Sequence, residues 1–215
     1  MICIWGSKGG VGCSVVTAAA ATISARTKPT LVVDLAGDMG MVLGVGETGP
    51  GLGDWFEVPD ASPEALGRLE IPVTQNLSLL AMGRSLSTLE VDSAPGSQVE
   101  VLARVLEADR RVVLVDVGLA LGRFAPVMAR ASRSVFVARP CYLALARVRS
   151  VALPDAMVVV REPGRVLTKS DMEHAVGCPV EATIQWDPAV ARAVDAGLLI
   201  RRLPRSLRKL EVILQ

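Results

Sequence analysis

Behind a short apolar run, Ile2-Cys3-Ile4-Trp5, the chain reads Ser7-Lys8-Gly9-Gly10-Val11-Gly12-Cys13-Ser14. Glycines packed this closely between a strand and a helix let backbone N–H groups and the helix N-terminus converge on one spot, which suits a phosphate chain. The phosphate-loop spacing G-x-x-x-x-G-K-[ST] is met in part. Ser7 replaces the first glycine, Gly12 is in place, and Cys13 replaces the lysine. Ser14 supplies the hydroxyl for Mg²⁺. Dinucleotide spacing, G-x-G-x-x-G, fails for want of a third glycine. The other reading of the stretch is a tight structural turn. Three acids, Asp34, Asp38 and Asp116, follow candidate strand ends. Ser14 and Asp116 together suit Mg²⁺, bound directly or through water; the structural alternative for Asp116 is capping a following turn.

These residues meet only if strand ends are brought to one edge. Apolar, β-branched runs predict strands over Met1–Trp5, Thr30–Leu35, Leu77–Ala81, Arg111–Val117, Ser134–Ala138, Met157–Val160 and Val180–Ile184. Between them, helical patterns cover Ser14–Arg26, Gln98–Ala108 and Pro188–Ala196, the last stopped by Gly197, and Ser170 with Glu173 reads as a capping box. Gly44–Pro63 reads as a long surface loop with a short helix around Asp54. Near-continuous strands alternating with helices imply an α/β fold: one doubly wound, mostly parallel sheet with helices on both faces. Such sheets bind ligands at the carboxyl ends of their strands, where the loop and the acids lie. No internal repeat or linker divides the chain, so residues 1–215 are read as a single domain.

Composition narrows the class. The chain has 215 residues, 51% hydrophobic and 21% charged, with net charge +1, a globular pattern without bias toward nucleic acid or membrane. Nineteen of the 23 cationic side chains are arginine, which lends interest to a lysine kept at position 8. The four cysteines, Cys3, Cys13, Cys141 and Cys178, make no C-x-x-C pair and there is one histidine. Zinc and a disulfide framework are therefore not expected, and a reducing cytoplasm is. No signal peptide or transmembrane stretch is expected either.

Lys8-Gly9-Gly10-Val11-Gly12 followed by a hydroxyl residue resembles the deviant Walker A loop of the ParA/MinD family of P-loop ATPases. Lys8 matches that family's signature lysine. Thr30–Asp38 (TLVVDLAGD) is similar to its second strand and switch I, and Arg111–Gly118 (RVVLVDVG) to its Walker B strand. Met157–Arg165, and Pro188 within PVEATIQWDPAVARAVDAG, are similar to its late strand and base-side segment. Lacking the second lysine, the loop is most similar to the CpaE/TadZ branch, which positions the Tad pilus machinery. Members of that branch usually carry an N-terminal receiver-like domain, whereas this chain begins at its first strand.

The resemblance implies ATP or ADP as cofactor with Mg²⁺. Gly9, Gly10, Val11, Gly12, Cys13, Ser14 and Val15 would hold phosphates; Ser14, Asp34 and Asp116 the metal; and Arg161 and Pro188 the base. Lys8, Asp34 and Asp38 are the candidate catalytic residues, and Lys8 would reach a partner's nucleotide across a homodimer. Three departures from the family pattern imply weak or absent ATPase activity, through Cys13 and Ala36, and altered adenine reading, through Arg161. Cys13 removes a charge, Ala36 stands where D-x-D relatives have a second acid, and Arg161 stands where they have a base-reading Asn. Asp38 is either a substitute acid or a solvated turn acid; Cys13 is either a tolerated small residue or a redox-sensitive one.

The implied function is a cytoplasmic spatial organiser whose nucleotide-biased dimers localise a pilus, secretion or cell-division assembly. Alternatives are a slow ATPase in chromosome or plasmid partition or septum positioning, and a nucleotide-free interaction protein keeping only the fold. In the tail, Leu203, Leu207, Leu210 and Leu214 fall at helical spacing opposite Arg201, Arg202, Arg205, Arg208 and Lys209. Residues 198–215 are thus either a basic amphipathic helix at the inner face of the cell membrane or a helix packed on the sheet. Arg130, Arg133, Arg139, Arg147 and Arg149 are the candidates for a DNA patch, disfavoured by the net charge and few aromatics. Met39, Met41, Trp55 and Phe56 read as a dimer or partner surface, or as core.

Overall fold

A computed structural model describes residues 1–46, 49–58, 60–83, 96–119, 122–142, 145, 148 and 153–215. The strands are β1 (Ile2–Trp5), β2 (Thr30–Asp34), β3 (Glu70–Thr74), β4 (Leu77–Leu80), β5 (Val112–Gly118), β6 (Arg133–Ala138), β7 (Ala156–Arg161) and β8 (Val180–Gln185). They form one sheet in the order β3-β4-β2-β5-β1-β6-β7-β8. Every pairing is parallel except β3 with β4. β1, the strand before the glycine loop, lies inside the sheet between β5 and β6.

Alternation along the strands sends side chains to two buried layers. Cys3, Trp5, Leu31, Val33, Val113 and Val115 join one core, while Ile4, Val32, Leu114 and Val135 join the other. The first is covered by α3 (Leu52–Glu57) and α4 (Gln98–Ala108), with α5 (Ala125–Ala129) and α6 (Lys169–Val176). The second is covered by α1 (Cys13–Ser24), α2 (Met39–Val42), α7 (Pro188–Asp195) and the C-terminal tail. Ala18, Ala19, Ala20 and Ala21 of α1 are wholly buried, and their small side chains bring α1 close to its neighbours.

Several expectations change. Thr168, not Ser170, caps α6, in a capping box with Asp171. Gly44–Pro63 is not a surface loop throughout: Leu52 and Trp55 of α3 are core residues. Trp55 donates to the Ser62 carbonyl, and Phe56 lies between Trp55 and Phe124, so both aromatics pack inward. Met39 is buried, and only Met41 faces solvent. No apolar run marks β3, whose half-exposed pattern is interrupted by Pro72, which an edge strand tolerates.

The tail forms a 3₁₀ helix over Arg205–Leu214, against α1 and β8. Side chains three apart eclipse in such a helix. The buried stripe is therefore Leu207, Leu210 and Ile213, not the α-helical set ending at Leu214. Its apolar face is occupied by the protein's own core, so the tail offers a membrane only its exposed cations. No helix of the described residues is long and apolar enough to cross a membrane.

Among the described residues, the arginines read as a DNA patch, Arg130, Arg133 and Arg139, do not form one. Arg130 pairs with Glu107 and Glu100, and Arg133 with Glu181, at the amino end of β6; Arg139 pairs with Glu162 past its carboxyl end. Six residues of strand, about 20 Å, separate the two groups. Arg147 and Arg149 lie outside the described residues.

Candidate functional site

The glycine loop leaves β1 at the sheet's carboxyl edge. Gly10 and Gly12 have φ of 73° and 102°, which L side chains rarely adopt, and Gly12 caps α1. A Cβ on Gly10 would meet nothing within 4 Å. The loop is thus shaped to leave backbone facing open space. That space is a cavity of about 1050 Å³ lined along one side by residues 8–16 and on the others by Ala36, Asp38, Gly118, Arg139 and Trp186. Small-molecule sites reach about this size.

Cys13 takes no cationic role here. Its side chain is buried, and a Cβ on Gly6 would lie 2.8 Å from its sulfur, so the thiol is tucked beneath the loop. Burial, then the nearby Asp116 charge, pushes the thiol far above its ordinary range. A buried thiol held in its neutral form is a poor nucleophile, which favours the tolerated small residue over the redox-sensitive one. Lys8 is exposed at the rim.

Asp34, the last residue of β2, and Asp116, two residues before the end of β5, are register partners, both buried. Asp34 accepts three backbone N–H groups: Ala36 (3.0 Å) and Gly37 (2.6 Å) on Oδ1, and Met39 (3.0 Å) on Oδ2. These bonds fold the turn that carries Ala36 and Asp38. Burial still pushes its carboxyl up, against the pull of those donors. Asp116 accepts from the Gly118 N–H (3.2 Å) on Oδ1 and interacts with the Ser14 hydroxyl, while its Oδ2 is buried without a partner. Burial pushes its carboxyl up to about 7. An orphaned carboxylate oxygen beside a serine hydroxyl, under an open amide cradle, fits Mg²⁺ and a phosphate chain. Ser14 and Asp116 would hold the metal and the loop amides the phosphates; the ion would supply charge neutralisation.

Ala36 packs against Gly118, where a Cβ would come within 2.8 Å of its own. Asp38 is exposed at the cavity mouth, and Val15 lines the wall. Arg161 is not among the lining residues, although its carbonyl accepts the Trp186 N–H (2.8 Å). Pro188 opens α7, whose cap Asp187 accepts from Ala189 (2.9 Å) and from Ser206 in the tail (2.9 Å). Sequence reasoning singled out neither Trp186 nor Arg139 as lining this cavity. Their signal was position: each is the first residue past a parallel strand.

The fold is that of ParA/MinD-type P-loop nucleotide-binding proteins. A ParA family ATPase from Chlorobium tepidum superposes with a TM-score of 0.77 at 19% identity, covering 99% of this chain and 95% of that one. The septum site-determining protein MinD from Pyrococcus horikoshii, solved with Mg-ADP, gives 0.74 at 21% identity, covering 99% and 93%. A plasmid partition protein from Borrelia burgdorferi, bound to AMPPNP, gives 0.71 at 16% identity, covering 99% and 96%. No protein-family model and no curated protein matches the chain by sequence.

Proposed function

We propose that this protein is a ParA/MinD-like spatial organiser with a degenerate ATP site. It binds ATP or ADP with Mg²⁺ weakly and dimerises in response. Its dimers localise a protein assembly of the pilus, secretion or cell-division kind, at the inner face of the cell membrane or in the cytoplasm. The observation that carries this reading is the pairing of an open Gly10–Ser14 cradle and an orphaned Asp116 Oδ2 with a Cys13 thiol turned under the loop. The cradle supports phosphate binding. The missing lysine charge and Ala36 disfavour hydrolysis. That solved structures of this fold include Mg-ADP and AMPPNP complexes supports the choice of cofactor. The CpaE/TadZ-like role rests on the loop's wording alone.

Lys8, exposed at the rim, would reach the partner's phosphates, and Asp38 is the remaining acid free to act near them. Pro188 and Arg161 would lie toward the base, Arg161 from behind the wall. Titration with Mg-ATP alongside a turnover assay tests the proposal, using wild type, Lys8→Ala and Cys13→Lys. Binding without turnover is expected, with a shift to dimer in size-exclusion chromatography. Turnover that Lys8→Ala abolishes would identify a slow ATPase. Binding that appears only in Cys13→Lys would identify a nucleotide-free interaction protein.

A further inference from the structure

The cation missing from the loop has a candidate replacement on the neighbouring strand. β6, β7 and β8 are adjacent and parallel, and the first residues past their carboxyl ends are Arg139, Glu162 and Trp186. Arg139 donates from Nη1 to Glu162 Oε1 and lies over the Trp186 ring, 5.3 Å from its centroid. An arginine clamped at its tip and stacked on an indole is held in one place. Its Nε is buried and has no hydrogen-bond partner. Arg139 lines the large cavity, and it also lines a recess of about 60 Å³ with Lys8, Gly9, Gly10 and Val11 of the loop. Arg165, bonded to Glu162 Oε2 (2.6 and 2.9 Å), lines the same recess.

We propose that Arg139, positioned by Glu162 and Trp186, is the phosphate-binding cation of this site, supplying within one subunit the charge that Cys13 does not. The ligand chemistry is the polyphosphate of a nucleoside di- or triphosphate. A guanidinium has donors to spare for phosphate oxygens after one carboxylate contact. Glu162 plays two parts: it orients Arg139 and it competes with phosphate for it. The inference rests on the nucleotide reading of the cavity.

The test is equilibrium binding of Mg-ATP and of AMP to wild type, Arg139→Gln and Glu162→Gln, with thermal melting as the check on folding. Losing a charge-assisted contact to phosphate should weaken ATP about tenfold or more in R139Q, and AMP clearly less. Removing the competing charge should tighten ATP about threefold or more in E162Q. An unchanged ATP affinity in R139Q, or equal losses for ATP and AMP, overturns the assignment and leaves the nucleotide site standing. If R139Q does not fold, E162Q decides, and an unchanged or weakened ATP affinity there overturns the assignment. No ATP binding by wild type overturns the nucleotide reading and this inference together.

Discussion

At the scale of single residues, the site's chemistry turns on two buried carboxylates with different surroundings. Asp34 is saturated by three backbone donors and holds its turn. Asp116 keeps an oxygen without a partner, and its carboxyl is pushed up to about 7. An acid whose folded value is raised keeps its proton in the folded state after the unfolded chain has released it. Its charging therefore costs stability as pH rises from about 4 to about 7, and not below. Asp116→Asn should melt close to wild type near pH 4 and increasingly above it by pH 8, by an amount on the order of 4 kcal/mol at most. A constant gap across that range, read by calorimetry, would contradict this account of Asp116. Both acids stood out in the sequence because each lies at or near the carboxyl end of a candidate strand. Which one was saturated did not, because the donors to Asp34 come from a turn whose path is set by tertiary contacts.

At the scale of elements, glycine contacts and the tail hold the cavity's far wall. Gly44, at φ 71°, lies after α2, and a Cβ there would come within 2.3 Å of the Gly197 carbonyl oxygen after α7. Gly44→Ala adds that clash to left-handed strain of about 1–2 kcal/mol. It should lower the melting temperature and weaken Mg-ATP binding, because α2 and α7 both line the site. Unchanged melting would show the contact to be dispensable. Leu210, wholly buried between α1 and β8, anchors the tail. Leu210→Ala should cost about 2–5 kcal/mol in urea unfolding. A membrane-seeking tail would instead tolerate the change in solution and lose liposome pelleting.

At the scale of the whole molecule, the sheet order places β1, β5 and β6 side by side, so the loop, Asp116 and Arg139 meet at one edge. Ligand binding there stabilises the fold by mass action. Mg-ATP at 100 times its dissociation constant should raise the melting temperature by about 5–10 °C, and Asp116→Ala should abolish the shift. A shift that survives Asp116→Ala would place the ligand elsewhere.

The sequence by itself determined the α/β class, seven of the eight strands among the described residues and the glycine loop, because buried parallel strands are written as short apolar runs and left-handed turns demand glycine. Tertiary structure alone decided that Cys13 turns inward, that the tail's apolar stripe runs through Ile213 into the core, and that Arg139 stands beside the loop. Local pattern specifies whether a residue lies on a strand or beyond its end. Strand order specifies which ends are neighbours, and Arg139 stands 125 to 132 positions after the loop it faces. The fragment Ser7–Ser14 thus carried the shape of a phosphate site, while its charge had to be found on another strand.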